Sequence, residues 1–180
     1  SIGQLVYGPI ADRFGRRVPL LTGVVLFTVA SLACAFAPNL DWLIGARFVQ
    51  ALGGCAGMVI SRAIVSDKCD AVGSAKVFSQ LMLVMGLAPI LAPMLGGLLV
   101  NTTGWQSIFL VLTGFSALAA VAVAMGLPES MPADMPRQPL SGSLRQYGRL
   151  LADRVFLGHA LTGGIAIAGM FAYIAGSPFV

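Results

Sequence analysis

The sequence predicts an all-α polytopic membrane protein, a partial bundle of transmembrane helices. Three observations carry that expectation. First, 57% of the 180 residues are hydrophobic and only 10% are charged, with a mean hydropathy of +0.88. A soluble domain carries about 25% charged residues, so lipid must solvate much of this surface. Second, apolar runs of roughly 20 residues recur, each enough to cross about 30 Å of hydrocarbon. Third, the basic residues cluster in alternate connections, as a chain woven through a membrane requires.

The elements follow in order. Residues 1–10 read as the end of a helix that begins earlier. The chain is apolar from Ser1 and still apolar at Val180, with no signal-peptide pattern, and is expected to be the middle of a longer protein. The stretch Gly8-Pro9-Ile10-Ala11-Asp12-Arg13-Phe14-Gly15-Arg16-Arg17 then places four charges in its last six residues. Two hydrophobic helices joined by so short a hinge must run antiparallel, and Gly8 and Gly15 permit close approach and a sharp turn. Residues 18–37 form a span without a charge. Pro38 to Asp41 is a turn, with Asp41 the expected N-cap of the next helix. Residues 42–65 span again, with Trp42 at an interface. A polar loop over 66–74 carries Asp67, Lys68 and Asp70. Spans over 75–100 and 106–127 flank the turn Asn101 to Trp105.

Residues 128–154 are the one long polar segment. Its first part is proline-rich and irregular. From Ser141 it reads either as a flexible linker or as a helix on the membrane surface, because Leu144, Tyr147 and Leu151 share one face and Arg145, Arg149 and Asp153 another. Residues 155–180 begin a further span. His159, the one histidine, lies within a turn of its start and reads as a headgroup-level residue or a proton site.

Charge sets the orientation. Arg13, Arg16, Arg17, Lys68, Lys76, Arg137, Arg145, Arg149 and Arg154 fall on one side, while the turns at 38–41 and 101–105 carry no basic residue. The positive-inside bias therefore puts 11–17, 66–74 and 128–154 in the cytoplasm. Arg62 lies within snorkelling reach of the same face. The net charge of +4 is scattered among loops without interleaved aromatics, so no nucleic-acid partner is expected. Cys34, Cys55 and Cys69 have no metal-ligand spacing. A phosphate-binding Gly-rich loop and a nucleophile–base pair are both missing from the sequence, which argues against an ATP-driven machine or a hydrolytic enzyme.

Arg47 is the unusual charge, about five residues inside a span, where a cation is costly and usually faces a bundle interior or a watery cavity. Its helical face reads Arg47, Gln50, Ala51, Gly54, Gly57, Met58, Ser61, all polar, small or flexible. The opposite face, Phe48, Leu52, Cys55, Val59, suits lipid. The alternative is an interfacial arginine reaching outer headgroups. Farther on, Ala88, Ala92 and Gly96 recur every four residues as a stripe for close backbone approach, with Pro89 and Pro93 bending the helix.

These motifs carry a resemblance. The hinge order G-x-x-x-D-R-x-G-R-R resembles the loop between the second and third transmembrane helices of the major facilitator superfamily, although a generic basic turn is the competing reading. Arg47 to Ala51 resembles the fourth-helix motif R-x-x-Q-G, with Ala51 in place of its glycine. Ala88 to Gly97 resembles the fifth-helix antiporter motif G-x-x-x-G-P-x-x-G-G, with alanines at 88 and 92 and matches at Pro93, Gly96 and Gly97. An ordinary proline-kinked packing helix is the alternative there. Trp105 to Phe109, Leu127 to Ser130, Arg62 to Asp67 and Ser177 to Val180 extend the likeness to the Bcr/CflA group of drug–proton antiporters.

The resemblance implies a chain running from the end of helix 2 to most of helix 7. It implies that residues 1–127 belong to an N-terminal six-helix half and that residues from 155 open the second half. It further implies a bacterial inner-membrane exporter of hydrophobic, drug-like molecules, driven by protons without a cofactor and working by alternating access with the remaining helices. Proton coupling is implied for Arg47. A polar latch is expected of Asp12 and Arg16, neighbours on a continuing helical turn, with Asp67 as a second partner for Arg16. Two rival readings are an uptake symporter for a sugar or other metabolite, and a polytopic membrane enzyme or receptor.

Overall fold

The computed structural model describes residues 2–128, 149, 150 and 152–176. These residues are helical throughout, with short connections and no strand among them. In chain order the helices are α1 (Ile2–Phe14), α2 (Arg17–Ala35), α3 (Leu40–Lys68), α4 (Ala71–Thr103), α5 (Gln106–Gly126) and α6 (Arg154–Gly176). Helices α2 to α5 are long and apolar enough to cross a membrane, so the chain is a partial polytopic bundle. The segment 129–148, which includes the start of the expected surface helix, lies outside the described residues, as do residues 151 and 177–180.

Local chemistry fixes the helix ends. Gly15 breaks the chain between α1 and α2 at φ 89°, and Gly104 does the same between α4 and α5 at φ 87°. Both lie in the left-handed region that favours glycine. Asn39 caps α3, its side chain accepting from the Trp42 amide at 2.8 Å. This corrects the expectation at Asp41, which instead occupies the first turn, where its charge still favours the helix dipole. Asp70 caps α4 by accepting from the Gly73 amide at 2.9 Å. The polar loop expected over 66–74 therefore shrinks to Cys69 and Asp70, because α3 continues to Lys68. At 1.5 Å per residue α3 and α4 are each over 40 Å long, so their polar ends project beyond about 30 Å of hydrocarbon. Helical structure continues unbroken through Pro89 and Pro93.

The bundle is organised around α2, which packs along both α3 and α5. The α2–α3 seam is made of small residues. A Cβ on Gly53 would stand 2.6 Å from the Phe27 amide nitrogen and 2.7 Å from the Gly23 carbonyl, and one on Gly23 would overlap Ala56. Only glycine permits that backbone approach. On one side of the seam Ala11, Leu20, Ala56 and Ile60 form a buried cluster with Tyr7, Val123 and Leu127 against it. Toward the other end Cys34, Ala35 and Phe109 form a second. The Thr28 and Ser116 hydroxyls, 2.9 Å apart, tie α2 to α5.

The buried stripe of α3 is Gln50, Gly53, Ala56 and Ile60. The sequence assigned Leu52 and Cys55 to lipid, and the structure reassigns them: a Cβ on Gly3 of α1 would lie 3.3 Å from Leu52 Cδ2 and 3.0 Å from Cys55 Sγ. Phe48 alone of that face's larger side chains stands well exposed, at 67%. Helix α6 is a body of its own, capped by Asp153, whose carboxylate accepts from the Val155 amide at 2.9 Å.

Candidate functional site

Two polar constellations stand out in this apolar bundle. The first sits at the α1–α2 hinge. Arg16 Nη1 donates to Asp12 Oδ1 at 2.6 Å, and Arg16 Nε donates to Asp67 Oδ2 at 2.9 Å. Asp12 and Arg16 are four apart in sequence but not on one continuing helix. Gly15 reverses the chain between them, so the pair closes across the turn. Asp67 arrives from the last turn of α3.

The two carboxylates differ in setting. The Arg16 side chain is 10% exposed and that of Asp67 12%, whereas the Asp12 side chain is 51% exposed. Burial alone would lower the Arg16 pKa, but hydrogen bonds and charge from Asp67 and Asp12 outweigh it and raise it above the ordinary arginine value. The guanidinium stays charged throughout the physiological range. The planar fork of arginine suits this double engagement, which lysine could not reproduce.

The rest of the hinge motif is dispersed around that cluster. Arg17 turns toward α5 and donates from Nη2 to the Ala124 carbonyl at 2.5 Å. That carbonyl lies in the last turn of α5, where a cation is favoured. Arg13 stacks over Phe14 with its guanidinium carbon 5.5 Å from the ring centroid. Gly8 lies partly buried within α1, before the turn that Gly15 makes.

The second constellation surrounds Arg47. Its Nη1 donates to Gln50 Oε1 at 2.7 Å, and Gln50 Nε2 donates to Ser31 Oγ on α2 at 2.5 Å. The guanidinium carbon lies 5.0 Å from the centroid of Phe109 on α5, whose ring meets Trp105 edge-on at 6.0 Å. The expected polar face of α3 continues as Gly57, Met58 and Ser61. With Arg62 they border a cavity of about 470 Å³ whose other wall is Phe78, Leu81, Met82 and Met85 of α4.

The third sequence motif is not brought to either constellation. Ala88, Ala92, Pro93 and Gly97 are exposed, and Gly96 is partly so. Nothing lies within 4 Å of a Cβ built on Gly96 or Gly97, so none of α1 to α5 packs against these two glycines. His159 on α6 bonds to its own helix, Nδ1 donating to the Val155 carbonyl at 2.8 Å.

Sequence reasoning missed Ser31, Phe109 and the Arg17 contact. Ser31 carries a faint signal as a hydroxyl inside an apolar span. Phe109 carries none, because its role depends on where α5 packs.

The family model described as Major Facilitator Superfamily matches residues 1–180, the whole chain. An uncharacterized MFS-type transporter, YdgK of Bacillus subtilis, is 45% identical over all of this chain and 46% of its own length. The multidrug resistance protein MdtL of Klebsiella pneumoniae is 34% identical over 97% of the chain and 44% of its own length. A bicyclomycin resistance protein homolog of Haemophilus influenzae is 31% identical over all of the chain and 46% of its own length. The chain thus spans a little under half the length of these relatives. With a family match along its whole length and relatives that are named as transporters, the chain belongs to the Major Facilitator Superfamily.

Proposed function

We propose that this chain is part of a proton-coupled exporter of hydrophobic, drug-like molecules, one of the Bcr/CflA kind, in a bacterial inner membrane. The observation that carries the reading is Arg47. It is a cation inside a candidate span, drawn back onto the bundle by Gln50 and Phe109, with no carboxylate paired to it among the described residues. A charge kept there at cost is a functional residue by default. The names of the multidrug and bicyclomycin resistance relatives support drug export as the direction of transport.

In this reading residues 1–127 belong to the N-terminal half and α6 opens the second half. The substrate cavity forms between these helices and the remaining helices of the transporter. Alternating access comes from rocking of the halves, with the proton gradient as energy source and no bound cofactor. The Asp12–Arg16–Asp67 cluster is the latch of the cytoplasmic face, holding the outward-open state. The Ala88–Gly97 stripe meets a helix of the full transporter and limits proton leak.

The test is efflux of a fluorescent cationic drug by the full-length protein in energised cells. Export that stops on adding a proton uncoupler is expected. Export indifferent to the uncoupler, or proton-driven accumulation, would defeat the reading. Orientation is checked separately in a cysteine-free background. Cysteines at Asn39 and Asn101 should react with an impermeant thiol reagent from outside, and one at Ser74 should not.

A further inference from the structure

We infer that Ser31 and Phe109 are positioning residues for Arg47, Ser31 by fixing which end of the Gln50 amide faces the guanidinium and Phe109 by holding the guanidinium in place. The transport consequence rests on the proposed function, while the geometry does not.

The argument is one of donors and acceptors. The Ser31 hydroxyl is fully buried and donates to the Phe27 carbonyl at 2.7 Å, which can only accept. Its single hydrogen is thereby committed, and it offers Gln50 a lone pair alone. The Gln50 side chain, 2% exposed, must answer with its NH₂ end. Its carbonyl end is then left pointing at Arg47, which has only donors to give. A backbone carbonyl of α2 therefore sets the polarity of a contact made on α3, through two intervening side chains. With alanine at 31, the amide NH₂ would lose its acceptor in a buried site, and the preference for this orientation would go with it.

Phe109 acts by a different force. It presents its ring within cation–π distance of Arg47, and it is itself 8% exposed and packed at right angles to the Trp105 ring. The guanidinium is thus held by an amide dipole and a ring face. Neither carries a negative charge, and contacts from three helices fix its place. Movement of α3 against α2 or α5 would release it.

The test uses the purified full-length transporter and phenylglyoxal, a guanidine-specific reagent, with modification read peptide by peptide by mass spectrometry. Ser31→Ala and Phe109→Leu are each expected to speed modification of Arg47 about two- to fivefold, the range of a single contact of this kind. Phe109→Tyr, which restores the ring face, should return near the parent rate. Arg16 and Arg62 serve as internal references and should not change. An unchanged Arg47 rate in Phe109→Leu and Ser31→Ala overturns the inference. So does acceleration at all three arginines, which would mean the fold had loosened. In the efflux assay, Phe109→Leu should lower transport and Phe109→Tyr should restore it. If the modification pattern holds while the parent protein shows no uncoupler-sensitive efflux, the proposed function fails and the positioning stands.

Discussion

In the α2–α3 seam, a Cβ on Gly53 would meet the Phe27 amide and the Gly23 carbonyl, whereas one on Gly96 of α4 would meet nothing within 4 Å. Both glycines belong to small-residue patterns in apolar helices. One is a contact already made, and the other faces none of α1 to α5. The difference follows from where each partner lies along the chain. The seam joins consecutive helices, and the α3 end of the hinge cluster is near its partner for the same reason. A small-residue pattern states that something packs closely, but only the structure says whether the neighbour lies within this chain.

Substitutions can break or sharpen that comparison. The largest effect is expected at Gly53→Ala, where rigid backbone must move to admit one methyl group. A loss of about 3 kcal/mol is expected, read as a fall in melting temperature of the full-length protein in detergent. A melting temperature equal to the parent's would mean the seam is looser than described. Asp67→Asn comes next. It weakens the more buried of the two Arg16 contacts and should cost about 2 kcal/mol. Adding Asp67→Arg to Arg16→Asp should recover part, and only part, of the loss that Arg16→Asp causes alone, because Asp12 then faces a second carboxylate.

Asp12→Asn should cost under about 1 kcal/mol, because that carboxylate is half exposed to water. It should nevertheless cut efflux severalfold, since a small bias still shifts a two-state population. Normal efflux at normal expression would reduce the hinge to a topogenic anchor. Gly96→Leu should change stability least, within about 0.5 kcal/mol, yet abolish efflux with expression retained. Full efflux in Gly96→Leu would show that this face meets lipid.

The same contrast explains what could be read from the sequence. The apolar spans, the sharp turn at Gly15 and the pairing of Arg16 with both Asp12 and Asp67 were legible, because charges are scarce here and each must find a partner. Arg47 and Gln50 were placed on one helical face, and they meet at 2.7 Å, with Gln50 buried and Arg47 exposed. The cap at Asn39 was placed two residues late, since Asn39 and Asp41 are both competent caps and the choice depends on how the chain leaves Phe36. Assigning Leu52 and Cys55 to lipid failed for a deeper reason. In a membrane, a side chain against another helix and one against lipid are equally apolar, so periodicity cannot tell them apart. Phe109 beneath Arg47 was invisible because aromatic residues are ordinary everywhere in such helices.

The two long-range contacts of the hinge also have a counting consequence. Arg16 touches Asp67 across the α2–α3 hairpin, and Arg17 touches Ala124 across α2 to α5. Each contact encloses an even number of candidate spans, two in the first case and four in the second. A chain that crosses a barrier an even number of times returns to the side it left. If any one of these helices failed to insert, the parity would be odd and its contact could not form. Adjacent arginines at one turn thus check the threading of the whole bundle twice, once after the first hairpin and again after the second.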